Sequence, residues 1–340
     1  MKKLTGITLS ILLTAALLVS PGCAKTERTV VVYTSVDQVF SERIFARFET
    51  KTGIKVRPVY DVEASKTVGL ANRLIEEKGN PLADVFWNGE ILRTLYLKAN
   101  GVLAKADIAA AAELPETFVD PDGQWYAFGG RARVVLFNKK LIGADELPKT
   151  IAGLPTHPRV REAGIANPVF GTSSTHAAAL YSEWGGEAAK AFYRSLKDSG
   201  ISVLEGNGSV KDYVGRGRLA FGLVDTDDAF EAMADDPDLE IALLDQGGGG
   251  LGTLVIPNSA ALINGAPHKP EAEAFMEYIL SAEAEQECVN MDWIHIPVHG
   301  GVTPPEKFGS GDITVMRVNW TDLAEKLAVS ADDMMNIFVD

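Results

Sequence analysis

The chain has 340 residues, 46% of them hydrophobic and 23% charged, and a formal net charge of −14 at pH 7. That length allows one large domain or two lobes, each with a sizeable core. The acid excess excludes a nucleic-acid partner, which needs clustered Lys and Arg, and two cysteines are too few for a disulfide framework.

Residues 1–22 read as a signal peptide rather than as structure. Lys2 and Lys3 open it, Ile7 to Val19 is an apolar stretch too short for a normal membrane span, and Ser20-Pro21-Gly22-Cys23 is a small-residue processing site. Cleavage before Cys23 resembles bacterial lipoprotein processing, with Cys23 as the lipidated N-terminus, although Ser20 stands where such sites usually have Leu. Plain secretion is the competing reading. The expected location is the periplasm or cell envelope, anchored through Cys23, with residues 23–28 as a tether. Cys288 lies in a helical run over 271–290 and reads as a buried small apolar side chain.

From Thr29 the pattern alternates. Thr29–Tyr33 is a β-branched strand that breaks into Thr34-Ser35-Val36-Asp37-Gln38. Phe40, Ile44 and Phe48 then share a helical face that stops at Gly53. Ile54–Tyr60 is a second strand, followed by Glu63 and Ser65 and a helix with Val68, Ala71 and Ile75 inward. Ala83–Trp87 is a third, followed by Asn88-Gly89-Glu90 and a helix ending at Asn100-Gly101. Strand–helix alternation of this kind predicts a mostly parallel sheet, whose polar strand ends (Ser35 and Asp37, Glu63 and Ser65, Asn88 and Glu90) share one edge.

Gly129-Gly130-Arg131-Ala132-Arg133 precedes a strand at Val134–Phe137 and reads as a crossover into a second lobe. Arg131 and Arg133 alternate along it, one expected to face the cleft, holding an anion or an interlobe ion pair, and the other a structural carboxylate. Ile165–Pro168 is a short strand, Gly171-Thr172-Ser173-Ser174-Thr175 opens a helix beginning near His176, and Asn207-Gly208-Ser209 starts another after the strand Ile201–Leu204. Leu219–Val224 is a strand that ends in Asp225-Thr226-Asp227-Asp228, with a helix following at once. Strand carboxyl ends and helix amino ends converge at such corners, where α/β proteins place ligands. Three carboxylates in four residues suit a cation, a polyol or an amine; one of them is accounted for as a helix N-cap. Gln246 to Gly252 is a Gly-rich loop, Thr253–Ile263 a returning strand, Lys269–Asn290 one long amphipathic helix and Thr321–Val339 a terminal one.

In their order and spacing, VVVYTS (Val30–Ser35), ADVFW (Ala83–Trp87), GGRARVVLFN (Gly129–Asn138), GTSST (Gly171–Thr175), TLVIPNSAALI (Thr253–Ile263), KPEAEAFMEYILS (Lys269–Ser281) and IPVH (Ile296–His299) resemble the periplasmic iron-binding class of ABC-importer solute-binding proteins, within the wider group of bacterial extracellular binding proteins. The resemblance implies an α/β, two-lobed periplasmic-binding-protein fold, each lobe a mixed, mostly parallel sheet flanked by helices. The lobes would be 29–130 plus about 256–300, and 131–255 plus about 301–340, closing on a solute with no chemistry done on it. It also implies a monomer that delivers its ligand to an ABC-importer membrane permease and requires no cofactor.

Ferric-binding relatives commonly place two adjacent tyrosines just after the strand that ends here at Val224; this chain has Asp225-Thr226. The iron reading therefore rests on carboxylates, with Asp37, Glu90, Asp225 and Asp227 as the candidate metal ligands for a ferric or divalent cation. The alternative is a phosphorylated organic solute (a sugar phosphate or phosphonate), its phosphate-like anion held by the hydroxyl-rich turn at Gly171–Thr175, which is equally readable as a simple helix cap. The expected solute-binding set is Ser35, Asp37, Glu63, Glu90, Arg131, Ser173, Ser174, Thr175, Asn207, Asp225 and Asp227, and no residue is assigned as catalytic. Three competing features carry less weight. His295 and His299 have a zinc-like spacing, but Pro297 interrupts it. Ser173 or Ser174 near His176 suggests a secreted serine hydrolase, but no nucleophile elbow frames them. Trp87 and Trp125 are better placed in cores than in a cleft.

Overall fold

The computed structural model describes residues 27–61, 68–308 and 313–339. The signal segment, Cys23, Glu63 and Ser65 lie outside the described residues. No helix among the described residues is long and apolar enough to cross a membrane.

Nine strands form one continuous sheet among the described residues. In chain order they alternate with helices: β1 Thr29–Thr34, α1 Gln38–Thr52, β2 Lys55–Tyr60, α2 Val68–Glu76, β3 Val85–Asn88, α3 Leu92–Ala99, β4 Tyr126–Asn138, β5 Ala163–Ala166, α4 Gly171–Trp184 and α5 Gly186–Asp198. There follow β6 Ser202–Leu204, α6 Asn207–Gly215, β7 Phe221–Asp225, α7 Thr226–Asp235, β8 Leu239–Ala242, β9 Val255–Leu262, α8 Lys269–Ile279, α9 Ala282–Asn290 and α10 Trp320–Phe338. The sheet order is β2-β1-β3-β9-β4-β7-β5-β6, with β8 also on β4. The outer pairs are parallel (β1 with β2 and β3, β5 with β6 and β7), and the central pairs on β4 and β9 are antiparallel.

The long strand β4 joins two halves. Its first residues, Tyr126–Ala132, pair with β9, and Arg133–Phe137 pair with β7. Where the sequence suggested a Gly-Gly crossover before a short strand, Gly129 and Gly130 instead lie inside thirteen residues of strand, at an irregularity in the ladder. A Cβ on Gly130 would sit 2.2 Å from the Ile256 carbonyl oxygen, and one on Gly129 would sit 2.5 Å from Ile294. Glycine here permits close backbone approach rather than a loop.

Side-chain alternation sorts the core. Ala132, Val134 and Leu136 of β4 pack with Val210 and Val214 of α6 on one face, while Val135 and Phe137 pack with α4 and α5 on the other. In the other half, Val30, Val32, Val85 and Trp87 meet Ile44 and Phe48 of α1 and Phe275 of α8, with Cys288 of α9 buried in the same cluster. α1 ends at Gly53 in the left-handed conformation, φ 69°. On α2 the buried stripe is Leu70, Ala71 and Leu74. The long helix expected over 269–290 is two, because Leu280 ends α8 and the Ser281 hydroxyl accepts a bond from Ala284 N to cap a new one. Strand β8 had no sequence signal: LEIA is short, and only Leu239 of its four residues is buried.

Glu285 of α9 is fully buried and braces the join. Its carboxylate accepts bonds from the backbone N–H groups of Gly129 (2.8 Å), Val298 (3.0 Å) and His299 (2.9 Å), and from His299 Nδ1 at 2.8 Å. Burial pushes its pKa up, but the His299 and backbone bonds outweigh that and hold it below the usual carboxylate range. His299 is thereby committed to structure, as is His295, which bonds Thr226 Oγ1 and the Asp292 carbonyl. Removing one partner of a buried, hydrogen-bonded pair costs about 3–5 kcal/mol. Glu285→Ala is therefore expected to lower unfolding free energy by about that much in urea denaturation, and a loss below about 1 kcal/mol would show the brace to be incidental.

Candidate functional site

A cleft of about 890 Å³ opens at the strand ends of both halves. From the first half come Ser35, Val36, Asp37, Gly89, Glu90, Leu92, Arg93 and Tyr96; from the second, Arg131, Val169 to Thr172, Ser174, Thr175, Asn207, Asp225 and Asp228. Trp293 and the α10 residues Ala324, Leu327, Ala328 and Ala331 complete the wall.

The acidic corner forms as β7 runs directly into α7. Asp225 is the N-cap residue, but its carboxylate makes no cap bond. It instead takes Arg133 Nη1 at 2.7 Å, Thr172 Oγ1 at 2.6 Å and Asn207 Nδ2 at 3.1 Å. Arg133 is 3% exposed and also donates to Asn207 Oδ1 at 3.0 Å and Ser173 Oγ at 3.3 Å. This network ties β4, β7, α4 and α6 together beneath the cleft floor. Residues 131 and 133 are two apart on a strand and so share a face; Arg131 lines the cleft, whereas Arg133 meets the buried carboxylate of Asp225. Arg131 pairs with Asp227 Oδ2 at 2.9 Å and reaches the Gly89 carbonyl of the other half at 3.4 Å.

Asp225, Asp227 and Asp228 each offer an oxygen within 4.8 Å of the others. Burial pushes Asp227 up, but the guanidinium of Arg131 outweighs it and leaves Asp227 below the usual range. Among the described residues no ion pair answers Asp228: burial, then repulsion from Asp227 and Asp225, push it up to about 7. Burial opposes the charge of Arg131, and Asp227 with Asp225 restores it above its ordinary value.

The other expected residues divide. Ser35 is buried and hydrogen-bonds Asn88, and its Oγ accepts from Gly89 N at 3.1 Å. Glu90 caps α3, accepting Leu92 N at 2.7 Å and Arg93 N at 3.0 Å. Asp37 is exposed at the N-cap of α1. The GTSST turn lies within the first turns of α4, not ahead of it. The N-cap is Phe170 and no side chain caps the helix, so the cap reading of those hydroxyls does not describe α4. Gly171 has φ 56° with open space around its Cβ position. Ser174 and Thr175 line the cleft; Ser173 faces Arg133 and a small cavity behind it, and Asp227 lies behind Arg131. His176 is in the core, with its pKa lowered to about 3 by burial and by Arg133. It is therefore neutral at physiological pH. Trp87 and Trp125 are buried. Sequence reasoning missed Arg93, Tyr96, Trp293 and the α10 residues, because helix-face residues of distant elements carry no local motif.

The profile of the family described as "Bacterial extracellular solute-binding protein" matches residues 43–314. "Iron uptake protein A1" of Synechocystis sp. is 24% identical over 290 residues, covering 80% of this chain and 76% of that protein. A "Putative 2-aminoethylphosphonate-binding periplasmic protein" of Salmonella paratyphi A is 24% identical over 298 residues, covering 85% and 84%. A Trichodesmium protein (IdiA, FutA) solved in complex with iron and citrate superposes with a TM-score of 0.81 at 21% identity, covering 92% of this chain and 100% of that one. The last likeness concerns the fold.

Two outcomes are expected from the electrostatics. Asp225→Ala leaves the Arg133 guanidinium buried and unpaired and is expected to cost about 3–5 kcal/mol, whereas Asp227→Ala, opposite a part-exposed arginine, costs about 1 kcal/mol or less. Denaturation midpoints measured side by side check the ordering. For Asp228, the folded-state value of about 7 lies above the unfolded one. Its contribution is complete below about pH 4, the unfolded value, and is lost as pH rises through about 7. Asp228→Asn is therefore expected to stabilise the ligand-free protein at pH 8 by about 1–2 kcal/mol, allowing for solvent screening, and to do little at pH 4. An equal effect at both pH values would contradict the shift.

Proposed function

The chain belongs to the bacterial extracellular solute-binding protein family, and we propose that it is the extracytoplasmic solute-binding component of an ABC importer, capturing a hard cation, ferric iron foremost, together with an anion. The observation that carries this reading is the acidic corner, where one oxygen each of Asp225, Asp227 and Asp228 lie within 4.8 Å of one another and Asp225 and Asp228 line a cleft whose opposite side supplies Ser35, Asp37 and Glu90. Asp228 holds a proton near neutrality because burial, and after it repulsion from Asp227 and Asp225, opposes its charge. A multiply charged cation replaces that proton and satisfies Asp227 Oδ1, which is buried without a hydrogen-bond partner among the described residues. Oxygen-only donors suit hard cations. The names of the Synechocystis and Trichodesmium relatives point the same way.

In this reading the two halves act as lobes, 29–130 with about 256–300 and 131–255 with about 301–340. Solute touching both favours the closed state by its differential affinity. The solute passes unchanged to a membrane permease from a monomer held at the cell envelope, through Cys23 if that residue is lipidated. Asp37, Glu90, Asp227 and Asp228 are the proposed ligands of the cation. Asp225 contributes by holding Arg133 and the corner in place.

One observation favours a second reading, an organic phosphate or phosphonate. The amino end of α4 opens on the cleft through Gly171, with Thr172, Ser174 and Thr175 beside it, and helix amino ends attract anions. The Salmonella relative's name accords with it. Thermal-shift and calorimetric titration of the metal-stripped mature protein with ferric complexes, divalent cations, phosphate, sugar phosphates and 2-aminoethylphosphonate separates the two. The expected result is ferric binding that tightens from pH 6 to 8 and falls at least about 100-fold in Asp227→Asn/Asp228→Asn. Removing each charge from the ligand set costs roughly a factor of ten or more. Binding of phosphorylated solutes alone would transfer the assignment to the second reading.

A further inference from the structure

The three arginines lining or underlying the cleft are not equivalent. Arg133 answers Asp225 and Arg131 answers Asp227. Arg93, the second residue of α3, lines the cleft and is part-buried. Among the described residues its guanidinium has neither an ion pair nor a hydrogen bond; only its backbone N–H is engaged, by Glu90.

Its place in the first turn of α3 gives that charge no help from the helix. A helix amino end carries partial positive charge, so a cation in the first turn is repelled. Across the cleft α10 presents Ala324, Leu327, Ala328 and Ala331, and none of its carboxylates lines the wall. Two of the lining carboxylates are already committed, Glu90 to the α3 amides and Asp225 to Arg133. A guanidinium kept in such a place is poised for an anion from outside.

We infer that Arg93 is the anion anchor of the cleft, holding the oxyanion (carboxylate or phosphoryl) of an organic solute whose cationic part rests at Asp227 and Asp228. The planar guanidinium donates two parallel N–H bonds that fit either group. Tyr96, one turn along α3 and 43% exposed, lines the same cleft as Leu327 and supplies apolar surface for the carbon skeleton between the charges. The solute class is therefore an organic oxyanion that chelates a cation or carries one, rather than a bare ion. This inference rests on the solute-binding reading above and narrows it.

The test uses the mature protein and three variants, Arg93→Gln, Arg93→Lys and Asp228→Asn, with folding checked by circular dichroism and melting temperature. The probes are ferric citrate, 2-aminoethylphosphonate, inorganic phosphate and terbium(III) as a bare trivalent cation. Arg93→Gln is expected to weaken whichever organic probe the wild type binds by about 10- to 100-fold, and to lower its affinity relative to terbium by at least about tenfold. Arg93→Lys restores only part, because an ammonium keeps the charge without the fork. A carboxylate source is distinguished from a phosphoryl one by which probe carries the loss. If Arg93→Gln binds every probe within about twofold of wild type while Asp228→Asn loses binding, the anchor is refuted and the cation site stands. Equal weakening of terbium and the organic probes also overturns it, as a general effect on the cleft. A wild type that binds none of the probes removes the solute reading and the anchor together.

Discussion

The structure depends on a positive charge that has been taken out of water. Arg133 is almost wholly buried at the end of the β4–β7 ladder, and Asp225 stands opposite it in register. A guanidinium there is tolerable only if its partner and the surrounding oxygens are fixed. Thr172, Ser173 and Asn207 supply them, so the first turn of α4, the first turn of α6 and the end of β7 are held to one another. The geometry of the cleft floor is a by-product of solving that charge problem. Asp227 and Asp228 project from α7 where they do because the residue ahead of them cannot move.

Much of this architecture could be read from residue patterns. The period of apolar residues located α1 and α2, Gly53 marked the end of α1 and Asn100-Gly101 that of α3, and β-branched or apolar runs breaking into polar residues marked most strands. The corner at Asp225–Asp228 was recognisable because strand, acids and helix follow without a gap. Three features were hidden. Gly129 and Gly130 read as a crossover ahead of a short strand, yet they lie inside β4, where β9 and Ile294 approach too closely for a side chain. Lys269–Asn290 kept its helical period across Leu280, and the break comes from a serine cap that a polar residue in a helix pattern does not announce. Arg93, Tyr96 and α10 reach the cleft only through tertiary packing.

Residue type alone did not rank the carboxylates. From sequence, Asp225 and Asp227 were equal candidates. In the structure Asp225 is spent on Arg133, Asp227 is half-answered by Arg131, and Asp228 remains with a displaceable proton. The order of availability runs opposite to the order in the chain. Burial and neighbouring charge, neither visible in a string of letters, set it.

The shared strands β4 and β9 have a mechanical consequence. Because both halves hang on the same two ribbons, any scissoring of one against the other must be absorbed as extra twist within continuous backbone, not by swinging on a slack tether. The irregular step between Phe128 and Gly130 is the softest place for it. There the absence of side chains lets the ribbons lie almost touching, while Glu285 grips the Gly129 amide from behind. Extra twist at that step would therefore have to carry the Glu285–Gly129 bond along with it.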